Sequence, residues 1–353
     1  MHYPEWSVGR SSAGRCSSFQ YYMGLADLSR RAALRIAAAR SWGQCNLGKT
    51  AFLFSGQGAQ YPGMGVDLCA NHPAAARVYA QASEALGFDV LALSRDGDEE
   101  TLAKTAVSQP LIFTLSLAVF AVLKENGVAP DAGAGFSLGE VSALAAAGAM
   151  DTATGFAVID ARAKAMQKAA EETGGTMFAI LGAEESTVEK ACADAPGYVA
   201  PVNYNCPGQI VIAGEEAGAV AAAETLQAAG IKTVRLAVNA AFHSRLMASA
   251  SDSFYETIRD FAFTAPAFPL FSNVTGGALE TGSIPDYLRR QMISPVRFSN
   301  EIAALEAAGF DTFLELGPGK TLCGFIRRGI KGARTFPLDD SSKIEKCLRA
   351  LAG

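Results

Sequence analysis

The pentapeptide Gly135-Phe136-Ser137-Leu138-Gly139 restricts the possible fold more than any other segment of the chain. The small residues at 132–136 predict a buried strand that runs into Ser137, and a helical pattern continues from Leu138 through Ala147. A serine at such a strand-to-helix turn has a strained backbone, and its hydroxyl projects from the edge of the sheet. The segment predicts an α/β fold with Ser137 as a nucleophile, and the alternative is an ordinary glycine-flanked helix cap.

Strand and helix patterns alternate on both sides of this turn. Residues 51–55 predict a short apolar strand, residues 109–124 a long and largely buried helix, and residues 152–170 another helix. This order predicts a mainly parallel sheet covered by helices. We interpret residues 47–173 and 239–353 as one large α/β-hydrolase-like domain.

A different pattern occupies residues 174–238, between the two parts of the large domain. The predicted elements are, in order, strand 177–181, helix 186–192, strand 198–203, strand 209–213, helix 217–229 and strand 232–236. This βαββαβ order is typical of a ferredoxin-like unit. We therefore expect a small inserted subdomain, with a ligand-binding groove between it and the large domain.

The first 46 residues differ in composition from the rest of the chain. Residues 1–46 contain six arginines but only two acidic residues, Glu5 and Asp27. Three interpretations are open: an Arg-rich targeting peptide, a disordered or loosely docked extension, or upstream sequence translated from a misassigned start. No cleavage motif is evident, which favours the last two.

Charge and cysteine content exclude several classes of function. The net charge of -5 and the pI near 5.4 argue against a nucleic-acid-binding surface, which needs a basic face. The seven cysteines are scattered and contain no CxxC pair, so neither a disulfide framework nor a zinc site is expected, and a reducing cytoplasm fits. No continuous apolar run is long enough to span a membrane, so no membrane association is expected.

Three short strings resemble functional motifs but lack the required context. Residues 43–50 match GxxxxGK[ST], yet a helical patch precedes them and a strand follows, which inverts the order of a phosphate-binding loop. Gly56-Gln57-Gly58 lacks the third glycine of a dinucleotide-binding motif. Asn273-Val274-Thr275 fits a glycosylation sequon, although nothing in the sequence signals secretion. None of the three favours a function.

A serine nucleophile needs a base, and histidine has a suitable pKa of about 6.5. Of the three histidines, His2 lies in the extension and His72 precedes a proline. His243, which follows the inserted subdomain, is therefore the candidate base by elimination. The alternative is that His243 only satisfies the hydrogen bonds of a loop.

Arg162 occupies an unexpected position on its predicted helix. Its neighbours one turn away are Val158, Ile159 and Met166, so the guanidinium lies on the apolar stripe. Snorkelling or an internal salt bridge would explain this position. A carboxylate on a substrate would suit the planar guanidinium equally well.

Several ordered motifs together resemble a known family. They are Phe54-Ser55-Gly56-Gln57-Gly58-Ala59-Gln60, the GxSxG at Ser137, Arg162 in its helix, Pro201-Val202-Asn203-Tyr204-Asn205 with Pro207-Gly208-Gln209, Ala241-Phe242-His243-Ser244, and Glu315-Leu316-Gly317-Pro318-Gly319. From about Lys49 to the C-terminus, the chain resembles the malonyl-CoA:acyl carrier protein transacylases and the acyltransferase domains of fatty-acid and polyketide synthases.

The resemblance implies a role for each residue at the reacting centre. Ser137 is then the acylated nucleophile and His243 its base, and the backbone N–H groups of Gln57 and Leu138 form the oxyanion hole. In place of an acidic third member, the backbone carbonyl at Gln291 orients the imidazole.

The resemblance also implies how the acyl group is selected. Arg162 pairs with the malonyl carboxylate, while Gln109 and Met166 line the same pocket. Phe242, before the histidine, resembles the malonyl-selective version of that motif, in which a bulky ring disfavours methylmalonyl. Phe136 departs from the family, which usually has histidine before the serine, so we expect altered packing beside the nucleophile.

The implied activity is that of an [acyl-carrier-protein] S-malonyltransferase. Its partners are malonyl-CoA and an acyl carrier protein, and we expect a cytoplasmic monomer that needs neither a cofactor nor a metal. Two other functions remain open. An acyl-thioester hydrolase shares the GxSxG motif but normally carries an acidic residue between serine and histidine. A non-catalytic docking subunit of a synthase complex would form no malonyl ester.

Overall fold

The computed structural model describes residues 48–280 and 282–352, and the predicted extension at residues 1–46 lies outside them. The strands are β1 (Lys49–Phe54), β2 (Ala132–Gly135), β3 (Thr176–Leu181), β4 (Val199–Cys206), β5 (Gln209–Gly214), β6 (Lys232–Arg235), β7 (Phe310–Leu316) and β8 (Arg334–Leu338). The helices are α1 (Val66–Asn71), α2 (Pro73–Leu86), α3 (Val90–Asp96), α4 (Glu99–Ala103), α5 (Thr105–Glu125), α6 (Leu138–Ala146), α7 (Thr152–Thr173), α8 (Glu185–Asp194), α9 (Glu216–Ala228), α10 (Ala248–Ile258), α11 (Ile284–Met292), α12 (Phe298–Ala307), α13 (Thr321–Gly329) and α14 (Ser341–Ala352).

A parallel sheet with the strand order β2-β1-β7-β8 forms the centre of the described structure outside residues 176–235, which we call the large lobe. β1 lies between two neighbours, and its residues Ala51 to Phe54 are completely buried, as expected for a parallel strand covered by helices on both faces. β1 and β2 pair in register, with Phe54 opposite Gly135. Both strands therefore end at the same edge of the sheet, where Ser137 follows.

The longest apolar helix, α5, is part of this core. By length and hydropathy alone α5 qualifies as a membrane-spanning segment, but 78% of its most apolar window is buried inside the protein. Its side chains pack against α2 and α7. The helix therefore behaves as a core element of the large lobe.

A separate antiparallel sheet lies within residues 176–235. Its strand order is β4-β5-β3-β6, and α8 and α9 connect the strands in the chain order βαββαβ. One face of the sheet packs on these two helices in an apolar cluster of its own. The backbone of β4 also bonds to the large lobe, because the N–H of Tyr204 donates to the carbonyl of Val296 at 2.8 Å.

The C-terminal part of the chain contains more structure than the sequence predicted. Sequence motifs mark the Gly317-Pro318-Gly319 segment, and the structure adds β7 before it and α13 and β8 after it. Glu315, at the end of β7, accepts hydrogen bonds from the N–H groups of Leu322 and Cys323 at 3.0 and 2.8 Å. Its carboxyl group thus satisfies two buried amides at the start of α13 that lack partners within the helix, which explains why an acidic residue is buried before this turn.

Candidate active site

The turn at Ser137 joins β2 to α6 and has no room for larger residues at its two glycines. A Cβ atom on Gly135 would lie 2.1 Å from the carbonyl carbon of Gly139, and one on Gly139 would lie 2.0 Å from the carbonyl oxygen of Phe54. The backbone of Ser137 has φ 56° and ψ -105°. Ser137 stands at the N-cap position of α6, but its side chain makes no capping hydrogen bond, so the helix-cap alternative is wrong.

The hydroxyl of Ser137 instead meets His243. The distance from Ser137 Oγ to His243 Nε2 is 2.6 Å, and His243 Nδ1 lies 3.1 Å from the backbone oxygen of Gln291. A carbonyl oxygen only accepts hydrogen bonds, so Nδ1 carries the proton and Nε2 is left to accept from the hydroxyl. His243 is therefore oriented as a base.

His243 is also kept neutral. Its side chain is 3% exposed, and burial lowers its pKa to about 4, with a further contribution from the positive charge of Arg162. Near neutral pH the imidazole is unprotonated at Nε2. A neutral imidazole is the form that takes a proton from serine.

Arg162 projects from α7 into the protein interior behind Ser137. Nη2 donates to Ser137 Oγ and to Gln291 Oε1, both at 3.2 Å, and Nη1 donates to Gln109 Oε1 at 2.8 Å. All three partners are uncharged, and Nε has no partner among the described residues. Burial lowers the pKa of Arg162 to about 10, while the Glu140 carboxylate opposes that shift. The guanidinium stays charged, and no acidic side chain of the described residues contacts it.

The position of Arg162 differs in one respect from the prediction. The resemblance implies that Arg162 shares a pocket with Gln109 and Met166, but the guanidinium has no exposed surface and does not line the cavity beside Ser137. The guanidinium lies in the protein interior and contacts the Ser137 hydroxyl through the hydrogen bond from Nη2. An acyl group on Ser137 Oγ would therefore begin 3.2 Å from Nη2.

The cavity beside Ser137 has a volume of about 440 Å³ and lies between the two sheets. Met166 and Phe242 line it together with Ser137 and His243, as the resemblance implies. Gln109 is not a lining residue. Its side chain lies behind Arg162, where Nε2 donates to Met166 Sδ at 3.3 Å.

Two backbone N–H groups near Ser137, those of Gln57 and Leu138, make no hydrogen bond to another described residue. Leu138 is the first residue of α6, so its N–H has no partner within the helix. The Gln57 N–H makes no hydrogen bond to a described backbone or side chain, and Gln57 lines the same cavity as Ser137. These are the two donors that the resemblance implies.

Phe136, where the family usually has histidine, joins an aromatic cluster. Its ring packs edge-on against Phe298 with centroids 5.6 Å apart and lies 6.1 Å from the ring of Phe325. The residue also lines the cavity beside Ser137. The Ser137 to His243 contact at 2.6 Å is formed beside this aromatic cluster.

Sequence reasoning missed a set of buried polar groups behind the nucleophile. Glu140, on the first turn of α6, accepts from the backbone N–H of Asn273 at 3.0 Å, from Gln291 Nε2 at 3.0 Å and from the Tyr287 hydroxyl. Burial raises the pKa of Glu140 to about 7. A buried acid in the helix directly after GxSxG was the available signal.

The structure excludes a function for two of the short strings that resemble known motifs. Asn273 is 1% exposed, so a glycan has no access to the sequon at 273–275. The last residues of the string at 43–50 belong to β1 rather than to a helix, which rules out a phosphate-binding loop. Within the described part of the chain, no group of three or more His, Cys, Asp or Glu side chains is placed to hold a metal ion.

Fold and site together define a class: α/β enzymes built around a paired serine and histidine. The sequence profile described as "Acyl transferase domain" matches residues 51–345, and the chain belongs to this family. The malonyl CoA-acyl carrier protein transacylase of Escherichia coli (strain K12) is 38% identical over 303 residues, which cover 84% of this chain and 98% of that protein.

Solved structures of the same family share the fold. The crystal structure of malonyl CoA-acyl carrier protein transacylase from Clostridium perfringens ATCC 13124 matches with a TM-score of 0.83 and 36% identity, covering 86% of this chain and 97% of that chain. A type II PKS acyl-carrier protein in complex with its malonyl-transacylase matches with a TM-score of 0.82 and 35% identity, covering 86% and 99%. The predicted α/β fold with a parallel sheet is confirmed.

Proposed function

We propose that this chain transfers a malonyl group from malonyl-CoA to the pantetheine thiol of an acyl carrier protein, for fatty-acid or polyketide synthesis. One observation carries the substrate assignment: a fully buried guanidinium, which no anionic group in the described part of the chain contacts, lies 3.2 Å from the nucleophile Ser137 Oγ. A buried charge is costly unless it is paired, so this site favours an acyl group that brings its own carboxylate. The names of the relatives support the same substrate and carrier.

The first half of the reaction forms an ester on Ser137. His243 Nε2 accepts the proton of the hydroxyl while Oγ attacks the thioester carbonyl, and the negative charge that develops on the carbonyl oxygen is bound by the N–H groups of Gln57 and Leu138. The tetrahedral intermediate then collapses. The carbon–sulfur bond breaks, and the coenzyme A thiolate takes the proton from His243.

The second half repeats these steps with a different nucleophile. His243 removes the proton of the carrier-protein thiol, the sulfur attacks the malonyl ester, and Ser137 Oγ leaves with that proton. The thioester bond is replaced by another thioester, so no external energy source, metal or redox cofactor is needed. Transfer requires that water is kept from the ester during its lifetime, because hydrolysis would release free malonate.

Arg162 selects the acyl group in this proposal. Once Oγ is part of an ester it accepts hydrogen bonds poorly, and Nη2 can turn to the malonyl carboxylate instead. Gln109 holds the other terminal nitrogen at 2.8 Å, which keeps the guanidinium plane fixed for a two-point contact. Phe242 narrows the cavity at the α-carbon of the acyl group, so we expect methylmalonyl to be disfavoured.

The finer fold assignment is part of the same proposal. We assign residues 47–173 and 239–353 to an α/β-hydrolase-like domain and residues 174–238 to a ferredoxin-like subdomain. The strand order β4-β5-β3-β6 with two helices on one face supports the second assignment. The cavity with Ser137 lies between the domains, and we propose that the coenzyme A or carrier-protein arm enters there.

Intact-protein mass spectrometry tests the proposal. Incubation with malonyl-CoA should add one malonyl group to the parental chain and none to Ser137→Ala, and addition of a carrier protein should remove the adduct with malonyl transfer to the carrier. Rapid release of free malonate at the same rate without a carrier would favour the hydrolase. Absence of any adduct on the parental chain would favour a docking subunit and refute the proposal.

A further inference from the structure

Two side chains from outside the nucleophile turn hold the backbone of Ser137. Asn273 Oδ1 accepts from the Ser137 N–H at 2.8 Å, and Gln291 Nε2 donates to the Ser137 carbonyl at 2.8 Å. Ser137 and His243 are the two non-glycine residues with positive φ in the described part of the chain. Such a conformation is strained and persists only when the surroundings fix it. The contacts at Ser137 are therefore candidates for holding the nucleophile in place.

The orientation of the Asn273 amide is determined by its partners. Its Nδ2 donates to the carbonyl of Gly135 at 2.6 Å and to Glu301 Oε1 at 2.8 Å. The carbonyl and the carboxyl oxygen act as acceptors and the Ser137 N–H is a donor, so one amide orientation satisfies all three. The side chain thus bridges the end of β2 and the amide of Ser137.

The backbone of Asn273 is itself fixed. The preceding segment runs beside β2, where the N–H of Phe271 donates to the carbonyl of Gly133 at 2.9 Å. The carbonyl of Asn273 accepts from the Arg297 N–H at 2.8 Å, and its N–H donates to Glu140 at 3.0 Å. These backbone hydrogen bonds fix the position from which the Asn273 side chain contacts Ser137.

Glu301, on α12, lies behind Asn273 and has no part in the reaction described above. It is 0% exposed, and its Oε2 has no hydrogen-bond partner among the described residues. Burial raises its pKa well above the usual range, and the nearby Glu140 carboxylate raises it further. The Glu301 carboxyl thus supplies the buried acceptor that fixes the Asn273 amide.

We propose that Asn273 is a positioning residue for acyl transfer: its side chain holds Ser137 in the positive-φ conformation that aims Oγ at His243, and Glu301 fixes the orientation of the Asn273 amide. The inference rests on the proposed function, because Ser137 must be the acylated residue. Asn273 does not line the cavity. Its loss should therefore slow the chemical step and leave substrate binding unchanged.

The test compares Asn273→Ala with the parental chain in malonyl transfer to a carrier protein and in single-turnover formation of the malonyl ester. We expect both rates to fall about 100-fold, because a displacement of about 1 Å at a reacting group has that cost, with KM unchanged within about threefold. Asn300→Ala is the matched control, since Asn300 is exposed and adjoins Glu301 on the same helix. It should behave as the parental chain does.

The outcomes separate this inference from the proposed function. A parental chain that forms no malonyl ester would refute the proposed function and this inference with it. A reactive parental chain together with an Asn273→Ala rate within about fivefold of it, or a loss expressed mainly in KM, would overturn the positioning role alone.

A second pair of variants covers the case in which Asn273→Ala does not fold. Glu301→Leu removes the acceptor for Asn273 Nδ2 and should lower kcat about tenfold, and Glu301→Gln should recover most of that loss because its amide oxygen accepts the same bond without charge. Equal kcat values in the leucine and glutamine variants would overturn the role of Glu301 and Asn273.

Discussion

Replacement of Arg162 by methionine should change the acyl selectivity of the enzyme. Methionine fills much of the volume of the arginine side chain, so Arg162→Met removes the charge from the buried site without opening a large cavity. The parental guanidinium is 0% exposed and its partners are uncharged. The variant should therefore fold at least as stably as the parental chain, since it no longer buries an unpaired charge.

The magnitude follows from the hydrogen bonds in the free site. Removal of one partner of a buried charge pair costs about 2 to 5 kcal/mol. Arg162 makes three hydrogen bonds before substrate enters, and at least the one to Ser137 Oγ must be exchanged for the carboxylate, which points to the lower half of that range. At about 1.4 kcal/mol per factor of ten, a loss of about 2 to 3.5 kcal/mol means that kcat/KM for malonyl-CoA should fall about 30-fold to 300-fold.

Acetyl-CoA has no carboxylate and should lose much less. For acetyl transfer, Arg162→Met removes only the contact between Arg162 Nη2 and Ser137 Oγ. Removal of the positive charge also relieves one of the two causes that depress the pKa of His243. The informative quantity is the ratio of kcat/KM for malonyl-CoA to that for acetyl-CoA, measured by transfer to a carrier protein. Lys164→Met, on the exposed side of the same helix, is the matched control. A ratio in Arg162→Met within about threefold of the parental ratio would refute the pairing of Arg162 with the substrate carboxylate.

Two further predictions concern pH and the nucleophile turn. The pKa of His243 in the folded protein is about 4, so the rate of ester formation should stay level down to pH 5 and fall only as the pH passes through about 4. A rate that falls near the usual histidine pKa of about 6.5, in a protein that remains folded, would contradict the burial of His243. Gly139→Ala should lower the free energy of unfolding by about 3 kcal/mol, because the added Cβ would meet the carbonyl oxygen of Phe54 at 2.0 Å. Gly324→Ala is the control, since Gly324 lies in a helix with open space around it, and this variant should raise the free energy of unfolding by about 0.5 to 1 kcal/mol. Denaturant midpoints measure both, and equal midpoints for the two variants would show that Gly139 is not required by packing.

The sequence predicted the elements around the nucleophile well, because local patterns determine them. The predicted strand at 132–136 and the helix at 152–170 correspond to β2 and α7, and all six elements predicted within 174–238 are present. In contrast, β7 and β8 were missed. Their position in a sheet between β1 and the edge depends on partners far away in sequence, which a local pattern does not identify.

The same division holds for the site. GxSxG singled out Ser137 because the turn requires glycines on both sides, and elimination among three histidines singled out His243. The sequence also placed Arg162 on an apolar stripe, which is a property of one helix alone. The only local sequence signal at Asn273 is a glycosylation sequon. Its hydrogen bond with Ser137 joins two residues that are 136 positions apart, so no local pattern predicts it.

What the sequence determined by itself is therefore the chemistry available: a serine at a strained turn, one suitable base and one arginine on the apolar face of a helix. What only the tertiary structure decided is how these groups act on one another. The 2.6 Å contact of Ser137 with His243, the neutral state of the imidazole and the uncharged partners of the guanidinium all depend on burial and on distances between separate elements. Desolvation and charge interactions act through space, and for that reason they are fixed only when the chain has folded.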